Sequence, residues 1–398
     1  MSTLKVDAIR HNSATSDAIT MASDGTCTAK VTDVGGGQLS HRNILNNGAM
    51  TISQRGTTFS HDSSNNNFYN LDRWRSRDSG LNFDCTITQS TDSPPGFANS
   101  LKITPDVTET PTGSNNGFIT QQPPGIDAQR FAHGTSSAKS ITLSFYAKTG
   151  SQNNGHQYSL QIRKYDSSGN RKVVIQPFTV TSSWQRFTMT FPGDTATAIN
   201  NTDDYQGMEI NWHLCTGPDD LTSAQPTWGT PLSSYWAGVT GQSNFMDNTN
   251  NEFYLTGCQL EVGDTATSFE HLSRNEELER CKRYYQTLPS GLISVRMAQN
   301  VSYSNAGMQS TFILPTPMRA NPGLSNWNDG SGTITHTFYD DNYSNATSYE
   351  LNMYGGIDGN GSVQFHFNYS QAINSGSSLG TNFKFGISQE VIAFEAEI

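Results

Sequence analysis

Long apolar runs are missing from this chain of 398 residues. Nothing in it approaches the roughly 18 apolar residues that cross a bilayer, and the opening MSTLKVDAIRHNS carries charged and polar groups where a signal peptide needs an apolar stretch. The expectation is a soluble chain that does not leave the cell through such a peptide. Basic charge is also scarce. Lys and Arg number 24 against 35 Asp and Glu, for a net charge of −11 and no basic run, which argues against gripping nucleic acid through its phosphates or lying on an anionic membrane. Cysteine is sparse and scattered: Cys27, Cys85, Cys215, Cys258 and Cys281 form an odd set without a CxxC pair. Neither a zinc site nor a disulfide framework is indicated, so the five read as free, mostly buried thiols assembled in a reducing cytoplasm. Metal-binding helices of the HExxH type are absent from the sequence, and no metal or cofactor is expected. Asp203 and Asp204, Asp219 and Asp220, and Asp340 and Asp341 are potential Ca²⁺ oxygens, but adjacent Asp residues more commonly serve solvated turns.

What is present is uncharged polarity and turn chemistry. Only 15% of residues are charged, while there are 35 Gly, 15 Pro and 10% aromatics. That mixture suits short strands joined by many turns and disfavours disorder throughout. Residues 141–147, 158–162, 172–175, 184–191 and 253–261 alternate as strands, with turn signals such as Asp166 to Gly169 between them. Phe145, Ile162, Trp184, Phe187, Met189 and Leu255 are the expected core, and Trp74 is expected inside as well. The fold class is therefore all-β: an antiparallel, jelly-roll-like β-sandwich over residues 41–270, followed by a second β-domain over 289–398 with strands at 307–314, 332–339, 349–354, 362–369 and 391–398. One helix, Ser273 to Leu288, joins them, with Ser273 as cap, Glu276 at the capping-box position, and Leu278, Cys281, Tyr285 and Leu288 on one face. Residues 1–40 form an extended arm with short alternating pieces around Leu4, Val6, Ile9 and Ile19. Strands this short cannot bury a face alone, so they are expected to pair between subunits or dock on a partner.

Sugar recognition needs flat aromatic faces among Asn, Gln and Asp. Two clusters qualify: Trp212, Trp228, Tyr235, Trp236 and Phe245 in a turn-rich stretch, and Trp327, Tyr339, Tyr343, Tyr349 and Tyr354 beside Asp340 and Asp341. For both, packing under loops or between subunits is the competing reading. No GxSxG, phosphate-binding loop or dinucleotide fingerprint occurs, so no catalytic residue is assigned.

Several segments resemble bacteriophage tail fibres and related virion appendages of phages infecting marine bacteria. They are residues 42–55 (RNILNNGAMTISQR), 71–75 (LDRWR), and 255–271 (LTGCQLEVGDTATSFEH) leading into 276–286 (EELERCKRYYQ), together with the opening 2–9 (STLKVDAI). Residues 140–148, 183–188 and 255–263 are in turn similar to carbohydrate-binding-module jelly rolls. The resemblance implies a non-enzymatic homotrimeric fibre of the virion tail. Residues 1–40 would hold other virion tail proteins, and the distal β-domains would meet a host-surface glycan or outer-membrane receptor. It leaves two alternatives: a purely structural capsid fibre or tail connector, and a polysaccharide depolymerase, which would be expected to show the stacked repeats this sequence lacks.

Overall fold

The computed structural model describes residues 6–10, 12–13, 19–24, 27–29, 40–62, 67–200, 202, 207–230, 236–287, 292–296, 307–313, 316–319, 323–325, 334–339, 347–351, 362–368, 382–386 and 393–395. Two antiparallel sheets face each other. One runs, in spatial order, Gln185–Phe191, Ile141–Thr149, Phe253–Val262, Ser100–Pro105, Cys85–Ser90 and Thr58–His61. The other runs Gln225–Gly229, Arg171–Thr179, Gln157–Tyr165, Met208–Thr216, Asn116–Gln121, Arg75–Ser79 and Asn67–Tyr69. The chain is thus mostly β, an antiparallel sandwich, as the alternation implies.

Side-chain alternation decides what faces what. Leu143 and Phe145 of one sheet meet Leu160, Ile162, Ile210, Trp212 and Leu214 of the other in a shared apolar core. On Phe253–Val262 the inward set shifts from Phe253 and Leu255 to Cys258, Leu260 and Val262. The shift is a bulge at Gly257, whose φ is +61° and where the pairing with Ser144 and Tyr146 skips. A side chain at Gly257 would also meet the Phe97 and Tyr146 rings at 2.8 and 2.9 Å. A glycine inside an apolar strand pattern therefore marks a bulge that keeps both halves of the strand facing the core.

The same rule corrects one expected core residue. Phe187, Met189 and Phe191 share the inward parity, so Trp184, three residues before Phe187, must lie on the opposite side. It is half-buried there; its indole Nε1 donates to Asp92 Oδ1 at 3.0 Å, and its ring meets the edge of Tyr254. Phe145, Ile162, Met189 and Leu255 are buried, and Phe187 packs on the core stacked against Phe145 at 5.3 Å. Trp74 is fully buried.

The segments that resemble phage appendages converge on one joint. Asn43 bridges the strap, the irregular segment of residues 40–57, to the sheet: its Nδ2 donates to the Cys258 carbonyl, and its Oδ1 accepts from the amides of Leu45 and Leu260. Asn47, at φ +53°, donates from Nδ2 to the carbonyls of Ile52 (2.8 Å) and Asp72 (2.9 Å), accepts at Oδ1 from the Ile52 amide, and offers its own carbonyl to Trp74 Nε1 at 2.9 Å. Gly48 lies so close to the sheet that a Cβ would stand 2.2 Å from the Cys258 carbonyl oxygen. Arg55 and Arg73 lie over the rings of Tyr285 and Tyr284 at 3.7 and 3.5 Å, in cation–π geometry.

The helix is shorter than the sequence pattern implies. It spans Arg274–Lys282, opened by Ser273 accepting from the Glu276 amide, and Cys281 is its buried residue. Tyr285–Thr287 instead forms a strand paired with Ala393–Glu395, which also pairs with Gly323–Ser325. β-bridging of Tyr285 outcompetes another helical turn because Arg55 and the strand partner hold it. Later strands pair as Leu292–Arg296 with Asn382–Gly386, Ile334–Tyr339 with Thr347–Leu351, and Gly307–Ile313 with Ser362–Asn368. In the N-terminal arm, Ala8–Ile9, Ile19–Met21 and Cys27–Ala29 pair with each other as a three-stranded antiparallel sheet. Val6, Ile9 and Met21 stay exposed, Ile19 is half-buried, and Leu4 lies outside the described residues.

Candidate functional site

The inward parity of the seven-stranded sheet sends a second row of side chains outward, and on five strands that row is polar. Gln161, Arg163 and Tyr165 lie beside Glu209, Asn211 and His213, then Thr120, then Arg75 and Arg77, then Tyr69. Glu209, only 1% exposed, is its centre. Its Oε2 accepts from Arg163 Nη1 at 3.0 Å, and its Oε1 accepts from Gln122 Nε2 at 2.6 Å and, more weakly, from Arg77 Nη1 at 3.5 Å. Arg75 Nη1 donates to Gln122 Oε1 (3.1 Å) and reaches Tyr69 OH (3.4 Å). On the other side Gln161 Oε1 accepts from Arg163 Nη2 (3.1 Å) and Asn211 Nδ2 (2.9 Å), and Gln161 Nε2 donates to the Trp236 carbonyl (2.7 Å). Thr120 Oγ1 donates to Asn211 Oδ1.

Burial holds His213 well below its ordinary pKa, with the Arg163 charge adding to the effect, so its ring is neutral; its Nε2 lies 3.4 Å from Gln161 Oε1. The face is therefore a fixed lattice of amide, guanidinium, carboxylate and phenol groups, in which Arg163 and Arg77 both donate to Glu209. Taking ions out of water costs several kcal/mol each unless partners are well placed. Arg77, 32% exposed at its side chain, is the opening to solvent.

The aromatics picked out from the sequence scatter. Trp212 belongs to the core, not to a ligand platform: it is fully buried on strand Met208–Thr216, its ring 5.4 Å from Trp74 and 5.6 Å from Phe145. Phe245 is fully buried in a short 3₁₀ turn. Trp228 closes the sandwich seam. Its Nε1 donates to the Pro192 carbonyl at 2.7 Å, and its ring packs edge-on to His133 with Lys164 Nζ 4.8 Å away. Trp236, half-buried at φ +50°, borders the polar lattice through its carbonyl, and its ring sits where a side chain at Gly229 would otherwise go. Tyr339 and Tyr349 lie on paired strands. Tyr235, Trp327, Asp340, Asp341, Tyr343 and Tyr354 lie outside the described residues. The lattice residues Arg163, Glu209, Gln161 and Arg77 were missed; the one sequence signal was a charged or amide residue at every second position of otherwise apolar strands.

A second buried cluster bears on pH rather than on ligands. Lys164 Nζ has three partners for its three protons: Asp194 Oδ2 (2.8 Å), the Thr197 carbonyl (2.6 Å) and His133 Nδ1 (3.2 Å). His133 Nε2 faces the Lys139 carbonyl, which fixes the neutral tautomer with the proton on Nε2. Burial, reinforced by the Lys164 charge, lowers His133 to about 4. Between an unfolded value near 6.5 and that folded value, the unfolded chain takes up a proton that the folded chain refuses. Stability therefore falls as pH drops through this window, by on the order of 3 kcal/mol when complete. Urea unfolding at pH 7 and pH 4.5 should show the loss, reduced in His133→Gln; an unchanged acid slope in that variant would assign the effect elsewhere.

Comparison with known proteins places the architecture in a wider setting. No family model matches the chain, and no curated protein matches it. Solved structures do. It is similar to the enzymatically active domain of tailspike protein 4 of bacteriophage CBA120, with a TM-score of 0.28 and 14% identity over 55% of this chain, which spans 21% of that one. It is also similar to the CBM22-1 xylan-binding domain of Paenibacillus barcinonensis, at TM-score 0.28 and 10% identity over 58% of this chain and 99% of that one. A family 11 carbohydrate-binding module from a Clostridium thermocellum cellulosomal cellulase compares at TM-score 0.28 and 13% identity over 53% and 99%.

Proposed function

We propose that the protein is a non-catalytic glycan-binding appendage of a phage virion, and that the outward face of the seven-stranded sheet holds the glycan. The observation that carries this reading is the buried polar lattice centred on Glu209. Arg77, the half-exposed guanidinium at its rim, is held by the buried lattice, so little side-chain entropy is lost when it meets a hydroxyl. Both Glu209 oxygens already accept from Arg163, Gln122 and Arg77, an arrangement for orientation rather than proton transfer. Trp236, half-buried, stands beside the lattice.

The rest of the reading rests on the sequence resemblance. Residues 1–40 attach to other tail proteins, residues 41–270 form the body, 271–288 the connector, and 289–398 lie distally towards the host. Three chains assemble, and the product resides in the virion tail. Three weak sites on one fibre raise avidity by on the order of 10²–10⁴ through effective concentration. The purified chain should bind host-surface polysaccharide in a glycan array, and R163Q and E209Q should each weaken that binding at least tenfold without a change in the oligomer measured by light scattering. A chain that binds no host polysaccharide, or variants that bind normally, would refute the glycan reading; a monomer would refute the fibre.

A further inference from the structure

Lysine is seldom fully buried, yet the Lys164 side chain has no exposure at all. It lies one residue from the end of Gln157–Tyr165 in the seven-stranded sheet, while Asp194 stands three residues beyond Gln185–Phe191, the edge of the six-stranded sheet. Lys164 Nζ comes within 2.8 Å of Asp194 Oδ2, an ion pair whose angles lie outside those of a hydrogen bond. The other carboxylate oxygen, Oδ1, accepts from the Ala196 and Thr197 amides at 2.9 and 3.3 Å. His133 turns the lone pair of Nδ1 to Nζ at 3.2 Å, because its proton sits on Nε2 facing the Lys139 carbonyl. The Thr197 carbonyl accepts from Nζ at 2.6 Å, and the Trp228 ring lies 4.8 Å from Nζ. A desolvated amine, a carboxyl carbon beside it, two amides on one carboxyl oxygen and a base on the amine are the parts of an acyl transfer.

We propose that Lys164 and Asp194 condense into an isopeptide bond, a covalent cross-link between the two sheets that each chain forms once, on itself. One Nζ proton passes to Oδ2 within the ion pair, leaving a neutral amine and a carboxylic acid. The amine lone pair attacks Cγ and the C–N bond forms, while negative charge gathers on Oδ1, where the Ala196 and Thr197 amides hold it. His133 Nδ1 takes the second Nζ proton and passes it to Oδ2, which leaves as water when its bond to Cγ breaks. The third proton stays on the new amide, facing the Thr197 carbonyl. Ammonium plus carboxylate thus give amide plus water, with no outside reactant. Burial lowers Lys164 below its ordinary value and so favours the attacking amine. Desolvation raises Asp194, but Lys164 and the two amides bring it below its ordinary value overall, so the ion pair is the state from which the reaction starts. Proximity replaces the concentration that two separate molecules would need, and the product removes two ions from a buried seam. Burial, the larger cause of the low His133 value, outlasts the bond, so the acid window described above remains.

Intact-mass spectrometry of the purified full-length chain under denaturing conditions tests this. Wild type should be lighter than its sequence by one water, after allowing for removal of Met1. A tryptic digest should hold a branched peptide that joins Lys164 to Asp194, with no cleavage after Lys164. D194N should form the same bond with loss of ammonia in place of water, and K164M should keep its full mass. H133Q, in which no ring nitrogen takes the Nζ proton, should form the bond at least about tenfold more slowly when masses are followed after cell-free synthesis. A wild-type chain of full sequence mass would overturn the inference, as would a water loss that tandem spectra place elsewhere, such as a succinimide at Asp24-Gly25. H133Q bonding at the wild-type rate would overturn the proton path. Should the variants fail to fold, wild type alone decides, because its mass and its branched peptide need no comparison.

Discussion

Truncating Trp212 to alanine should destabilise the protein by about 3–5 kcal/mol, the usual cost of removing a large aromatic from a packed core. The indole lies fully buried between Trp74 and Phe145, with Ile210 and Leu214 on the same inward face of its strand. Neighbours fixed in two different sheets have little freedom to collapse into the void. Urea unfolding followed by tryptophan fluorescence and by circular dichroism would give the midpoint shift. The same experiment separates the two roles a tryptophan can have here. A ligand platform would lose affinity and leave the midpoint near wild type; a core residue does the reverse.

Asn47→Ala is expected to cost about 3 kcal/mol or more. The substitution removes three side-chain hydrogen bonds and strands the Ile52 amide and the Asp72 carbonyl in a buried joint, where an unpaired polar group costs roughly 1–3 kcal/mol, while the Ile52 carbonyl keeps the Asp72 amide. It also leaves alanine at φ +53°, a left-handed conformation that asparagine tolerates better. Asn47→Gly relieves only the backbone part and should fall between alanine and wild type. Because the Asn47 amide donates to Glu277 of the helix, the alanine variant should raise amide hydrogen exchange at Arg274–Lys282 as well as in the strap. A midpoint within 1 kcal/mol of wild type, by this order-of-magnitude scale, would mean that water replaces Asn47 freely and that the joint is not closed.

Placed beside each other, the two predictions concern what the most recognisable segments do in the fold. Residues 42–55, 71–75, 255–271 and 276–286 carry the resemblance to phage appendages, and in the fold they meet around Asn43, Asn47, Trp74, Tyr284 and Tyr285. Their residue types are fixed by close approach, positive φ and buried hydrogen bonding. The lattice on the opposite layer draws on residue types that are interchangeable along a strand until a ligand is specified.

The sequence by itself determined the β class, the strands read at 141–147, 158–162 and 253–261, and the start of the helix at Ser273, because each is written in local periodicity or a local cap. Trp184 was misplaced although the information was local: a residue three positions from Phe187 cannot share its face on a strand of period two. The burial of Trp212 and the Glu209 lattice were decided by tertiary structure alone. Glu209 gathers Arg77 from 132 residues away, Gln122 from 87 and Arg163 from 46. Which of two alternating faces turns to the core, and which strands lie next to each other, depends on sheet order, and sheet order is set by pairings between distant segments that no local pattern encodes.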